Sequence, residues 1–369
     1  MPAALRTKNT QLNVEAGSSN ATTTLSGGGT LTLSTSGGTG TAIIQDGTFA
    51  GGNALINANN AIEGFGNIGQ GTDLALSNSG TINANVSGQT LLLNGTPITN
   101  SVSSVGGLME ATNGGFLVMQ NSVNNFGANI KATGTGSIVY VGSSIQGGTI
   151  TSSGGGSFSS YVGGSTVLDG STQGQLTLAT GTTFTGVGGT ATGAVGAINN
   201  QGDIQITAGT SQNATLGIGL GYSNGATLTG GGTVTLSSGS GTGVAIISDA
   251  TFAGGNNLNN GSTTSAHTIQ GYGQIGNGSD LTLNNAALGV VNANVSGQSL
   301  TLNGGTVTNT GLLEATNGGN LQISTTVINQ KRWGLQGERS APTTRSLCST
   351  GPTRGSSTAV VWTRYRHWP

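Results

Sequence analysis

One long segment of this chain is written twice. Asn83-Ala84-Asn85-Val86-Ser87-Gly88-Gln89 returns letter for letter as Asn292-Ala293-Asn294-Val295-Ser296-Gly297-Gln298. Around it, Gly28-Gly29-Thr30 returns as Gly231-Gly232-Thr233, the stretch 48–53 as 251–256, and the stretch 110–115 as 314–319. The offsets are 203, 203, 209 and 204, so one unit is read twice with small insertions and deletions. Such a chain must stack like upon like, which points to a repeat architecture before it points to any chemistry.

A shorter pattern lies inside the long one. Ala-(Asn/Thr)-x-x-Gly followed by strand residues starts at Ala84, Ala111, Ala132, Ala293 and Ala315, with neighbouring spacings of 27, 21 and 22. The 27 has a local cause: Asn100 to Ala111 is 11 residues and the matching Asn309 to Ala315 is 6, so five extra residues sit around Val102 to Gly106. Thr30-Leu31-Thr32-Leu33-Ser34 alternates, and Leu74-Ala75-Leu76, Leu91-Leu92-Leu93 and Leu117-Val118-Met119 are short apolar runs bounded by Gly or Asn. These read as short strands. Ile145–Ile150 and Val167–Ser171 read as further coils, with turns at Gly154-Gly155-Gly156 and Gly163-Gly164. No apolar period of 3.6 survives ten residues, so helices are not expected.

Strands recurring at 20–22 residues predict an all-β parallel β-solenoid, two or three strands to a coil. Composition agrees. Aromatics are 4% and charged residues 6% of the 369, while Gly numbers 70. Few aromatics argue against one large core, and few charges argue against a self-repelling disordered chain. Small apolar residues suit a thin interior, and Asn at repeated turns is expected to stack as an amide ladder. Roughly 15 coils at about 4.8 Å each predict a rod of roughly 70 Å.

The unit boundaries read as a lead-in at 1–26, a solenoid over 27–330 (a full unit at 27–229, a partial copy at 230–330) and a distinct tail at 331–369. The tail holds seven of ten basic residues, all three tryptophans and the single cysteine, Cys348. That switch of composition suggests translation out of frame; the rival reading is a genuine basic tail that binds an anion. Residues 1–330 carry a net charge of −7, from three bases and ten acids. Nucleic acid wants a basic stripe, so it is not an expected partner. Met1 to Thr10 carries two bases with no apolar run after them, and no apolar run of about 18 exists, so neither a signal peptide nor a membrane-spanning helix is expected.

No catalytic, cofactor or metal site is predicted. A triad needs His beside a nucleophile and an acid; His267 lies in a Thr/Ser-rich stretch and reads as an exposed polar residue, while His367 and Cys348 belong to the tail. Asp46, Glu63, Asp73, Glu110, Asp169, Asp203, Asp249, Asp280 and Glu314 are scattered; Asp46/Asp249 and Glu110/Glu314 are repeat equivalents and read as structural surface residues. Two acids could still meet across coils. Gly37-Gly38-Thr39-Gly40 begins like a calcium-binding repeat but continues without Asp. Lys8 and Lys131 are not set in phosphate loops, and Gly217–Gly221 is a chance cluster at this glycine content. Asn-x-Ser/Thr at Asn20, Asn85, Asn94, Asn213, Asn260, Asn277 and Asn294 is frequent by composition alone. Thr30/Thr32 and Thr233/Thr235 have the look of an ice-binding rank, which would need such a pair in nearly every coil.

Gly-Thr-Ile-Asn-Ala-Asn (80–85), Glu-Ala-Thr-Asn-Gly-Gly (110–115), Ile-Gln-Gly-Gly-Thr-Ile (145–150) and Leu-Asp-Gly-Ser-Thr (168–172) resemble the repeats of bacterial autotransporter passenger domains, and large haemagglutinin-like adhesins look similar. The resemblance covers about residues 27–330. It implies a right-handed parallel β-helix exported to the cell surface for adhesion. The chain departs from a complete member in showing neither a signal peptide nor the alternating ten-residue strands of an outer-membrane barrel, so a passenger fragment is expected. Three functional readings follow. The first is a non-enzymatic adhesin or structural rod contacting host matrix or glycans; the second is a polysaccharide-degrading β-helix enzyme, and the third a fragment without activity. An uncapped last coil would invite end-to-end self-association.

Overall fold

The computed structural model describes residues 9–14, 20–35, 40–48, 51–70, 74–101, 106–221, 225–238, 241–250, 255–278 and 281–330. Residues 102–105 of the insertion expected around Val102 to Gly106, together with Asp73, Asp280, Lys8, Gly37–Thr39 and the tail 331–369, lie outside them.

The described chain is a parallel β-helix of 38 strands, with no helix. Every strand pairing is parallel and joins a strand to its counterpart one coil away. The strands fall into three ladders, here faces 1, 2 and 3. Face 1 starts at Thr10–Val14 and ends at Leu312–Ala315. Face 2 starts at Thr22–Leu25 and ends at Asn320–Ile323. Face 3 starts at Thr30–Leu33 and ends at Val327–Asn329. Faces 2 and 3 are fused by one ten-residue strand, Ala191–Asn200, which serves both. Face 1 has 13 strands, so the rod is 13 coils and roughly 60 Å long at about 4.8 Å a coil. The solenoid reaches back past residue 27, because Thr10–Val14 and Thr22–Leu25 are already ladder strands.

The expected coil length recurs: Phe116 pairs with Ile138, Leu76 with Ile98 and Leu300 with Leu321, 22, 22 and 21 residues on. Other coils are longer because their turns are; Thr10 pairs with Ala42 and Thr233 with Thr268, 32 and 35 residues on.

Alternation decides what faces in. Thr81–Ala84 buries Ile82 and Ala84, and Leu108–Thr112 buries Met109 and Ala111. Stacked Leu, Ile, Val and Ala, with Phe158 and Phe184 as the largest side chains, make one continuous core along the axis. Each such side chain of Leu or Ile size contributes about 1.5–3 kcal/mol on burial. Glycine is required where the chain turns hard against the coil below. Gly64 has φ +110° and Gly271 has φ +104°; a Cβ at either would lie 2.0 Å from the carbonyl oxygen of Leu33 or Leu236. These are repeat equivalents, and both copies solve the corner the same way.

The two copies do not lie on the same faces. Thr30–Leu33 is on face 3, whereas its equivalent Thr233–Ser238 is on face 1. Thr90–Leu93 is on face 1, and its equivalent Ser299–Leu302 is on face 2. The unit therefore spans eight coils plus one further face, and the second copy is turned by one face about the axis. Asn83–Gln89 accordingly leaves face 3 and Asn292–Gln298 leaves face 1, each as the end of one strand and the turn after it.

Candidate functional site

The expected amide ladder is present in both copies. Asn57 Nδ2 donates to Asn78 Oδ1, Asn78 to Asn100 and Asn100 to Asn125, each at 2.9 Å. All four are fully buried. In the second copy Asn260 donates to Asn285 at 2.8 Å, Asn285 to Asn309 at 2.7 Å and Asn309 to Asn329 at 3.3 Å. Backbone carbonyls take further amide hydrogens, such as Leu108 from Asn78 and Leu312 from Asn285. Burying so many amides is tolerable because each is satisfied within the stack. Asn260, one of the Asn-x-Ser/Thr matches, is thereby enclosed.

His267 is not an exposed loop residue. It opens the strand His267–Gly271, is fully buried and belongs to the second ladder. Its Nδ1 lies 2.7 Å from Asn260 Oδ1, and its Nε2 lies 3.1 Å from Asn200 Nδ2. An amide oxygen only accepts, so Nδ1 carries the hydrogen and Nε2 accepts from Asn200. The imidazole thus carries one donor direction from Asn200 through to Asn329. Burial lowers its pKa to about 3, so it is neutral at ordinary pH. Its repeat equivalent is Asn60, whose Oδ1 accepts the amide of Gly29 instead. The coil below Asn260 offers Leu228 at the register position where an asparagine would continue the stack, and the longer imidazole of His267 reaches across to Asn200.

The acids divide into two groups, and two of them are not surface residues. Asp46 is buried: its carboxylate accepts the amides of Thr48 and Asn53 and the Asn53 side chain, at 2.8, 2.9 and 2.9 Å. Asp249 makes the same clasp to Asn256, at 2.9 and 2.8 Å. Asp169 is fully buried and accepts from Ser171 and Thr172. For Asp46 and Asp169 burial opposes the charge, but these hydrogen bonds outweigh it and hold both pKa values below the usual carboxylate range. Asp203 accepts from Thr233 and Thr235 on the next coil and from Gln205 on its own strand. The identical Asp-to-Asn spacing of seven in both copies is the sequence signal for the clasp.

The second group points outward on face 3. Thr32, Glu63, Asn83, Glu110 and Lys131 follow one another in register. Glu63 and Glu110 are half-buried and two coils apart, about 10 Å between their Cα atoms. Between them Asn83 donates to Glu110 at 3.1 Å and accepts from Thr112 at 2.9 Å. Burial raises the pKa of Glu110, with Lys131 on the next coil opposing the rise. In the second copy the column reads Thr235, Gln270, Asn292, Glu314, so Glu63 has become Gln270.

No known protein family, characterised protein or solved structure matches the chain. A cavity lined by Thr99, Asn100, Ser101, Asn124 and Phe126 lies away from Glu63 and Glu110 and holds no titratable side chain. Among the described residues no three His, Cys, Asp or Glu side chains come together as a metal site. No described helix is long and apolar enough to cross a membrane.

Proposed function

We propose that the chain is a non-enzymatic rod, a segment of an autotransporter-type surface adhesin whose work is done by its outer faces. The observation that carries this reading is the commitment of polar chemistry to architecture. Asp46, Asp249, Asp169, Asp203 and His267 are all engaged in holding turns and coils together. What the fold offers to a partner is three long ladders of outward side chains at a constant spacing, a geometry in which many weak contacts add up. The test is binding of the full chain to arrayed matrix proteins and glycans, at one copy per particle and at many. Expected is weak monovalent binding that strengthens by about 100-fold or more with multivalent display; equal binding in both formats would overturn the reading.

A second reading rests on Glu63 and Glu110. Carboxylates about 6.5–9.5 Å apart serve inverting glycosidases, and the raised pKa of Glu110 suits an acid. Against it, the two share a sheet face rather than the described cavity, and Asn83 occupies the space between them. Release of reducing ends from a polysaccharide, abolished by Glu110→Gln, would establish this reading in place of the first.

A further inference from the structure

The outer surface of face 1 changes character over a few coils. Reading one outward column along the axis gives Gln11, Ile43, Asn67, Leu92, Val118, Tyr140, Ser159 and Thr185. The adjoining column gives Thr90, Phe116, Ile138 and Ser157. Leu92, Tyr140, Phe116 and Ile138, each partly exposed, thus form an apolar patch around the buried Val118, with polar Asn67 and Thr90 below it and Ser157 and Ser159 above. Tyr161, 38% exposed, extends it by one coil. The rings of Phe116 and Tyr140 meet edge to face at 5.9 Å and 72°, and those of Tyr140 and Tyr161 at 6.3 Å and 75°. These residues lie outside the continuous core. The second copy replaces Leu92, Phe116 and Val118 by Thr301, Asn320 and Gln322 around the same inward leucines.

We infer that this patch is a binding platform for a linear, uncharged polysaccharide, a reading that rests on the proposal that the chain is a binding rod. Size, polarity and backbone together select the occupant. The patch covers three to four coils by two side chains, on the order of 200 Å², far below the roughly 800 Å² per partner of a stable protein interface. A second copy of the chain is therefore not its occupant. None of the six side chains is charged, so an anionic or cationic ligand would lose water with nothing to pair with. The strands lie in mid-ladder with both neighbours in place, so an extended peptide finds no edge to join. A sugar ring offers an apolar C–H face with hydroxyls at its rim. It suits aromatic rings that carry a polar tip and a border of Asn, Ser and Thr. A pyranose is also about as long as the step from one coil to the next, about 4.8 Å, so successive rings can meet successive coils.

The test uses the full chain and neutral linear hexose oligomers of two to six rings, followed by isothermal titration calorimetry. The double variant Phe116→Asn/Val118→Gln installs the residues that the second copy already carries at equivalent positions, so the fold has a precedent for it. Expected is affinity that rises with ring number to about four, with at least a tenfold loss in the double variant and in Tyr140→Ala. Equal affinity of the variants overturns the assignment. So does binding of wild type to matrix proteins but to no neutral oligomer, which leaves the rod reading standing; binding to no ligand of any class removes both. A concentration-dependent dimer abolished by the double variant would overturn the assignment in favour of a second copy.

Discussion

Leu117 of the first copy and Leu321 of the second are both fully buried between coils. Beside them, Phe116 and Val118 stand where the second copy has Asn320 and Gln322. The same contrast holds at Leu92 against Thr301 and at Glu63 against Gln270, while Ile82 and Val291, Leu91 and Leu300 keep the interior apolar. Stacking fixes what points inward, because each inward residue must pack on its counterparts one coil up and one coil down. The outward residues share no such requirement. One interior thus supports two different exteriors, and whatever distinguishes the copies in function lies outside.

The widest expected difference between the copies concerns acid. The buried His267 has its pKa lowered to about 3, so the unfolded chain binds the proton first; the stability it retains above pH 6.5 is lost as pH falls towards 3. At about 1.4 kcal/mol per pH unit this amounts to roughly 5 kcal/mol. Asn60, its equivalent, carries no proton to gain. Hydrogen exchange at pH 4.5 should therefore show the coils around 260–290 opening before those around 57–82. In His267→Asn the two regions should open together. Asp46 and Asp169 have lowered pKa values, so the stability they contribute is present above about pH 3.8 and is lost only below it, in a separate window.

The corner glycines should instead behave alike. Gly64→Ala and Gly271→Ala each force a Cβ against a backbone oxygen in a left-handed conformation, and each should destabilise by about 3 kcal/mol or more, seen as matching falls in the denaturant midpoint. The ladders come next. Asn78→Ala deprives Asn57 and Asn100 of partners inside the core, as Asn285→Ala does for Asn260 and Asn309, at about 2 kcal/mol each. The smallest effect on folding belongs to Phe116→Asn/Val118→Gln: Val118 is buried, but the second copy carries this polar pair around the same inward leucine, so the fall should stay below about 1.5 kcal/mol, and a larger fall would mean that the patch is part of the core.

Much of this fold is legible in the sequence because its rules are local and repeated. Alternation in Thr30–Leu33 and the recurring Asn-plus-turn announce strands and amide stacks, and coils of 21 and 22 residues carry the period. His267 misleads because its surroundings, Ser262-Thr263-Thr264-Ser265-Ala266, look like an exposed loop; only alignment with Asn60 shows that the inserted residues precede a ladder position. Asp46 misleads for a related reason. A lone acid reads as surface until the asparagine seven residues on is seen to hydrogen-bond it. The outward patch is hidden by distance, since Leu92, Phe116 and Tyr140 become neighbours only once coil register is known.

The unit length of eight coils plus one face works like a thread cut at a pitch that does not divide evenly into its shaft. A motif in one copy is presented in one direction, and its counterpart in the next copy is presented a third of a turn away. A third unit of the same length would present it along the remaining direction. Three units, 25 coils and roughly 120 Å, would bring the pattern back into phase. For the outward residues that the copies share, such as Asn83 with Asn292 and Glu110 with Glu314, a filament built to this rule has no blind side: whichever way it rolls against a surface, some copy of them faces it.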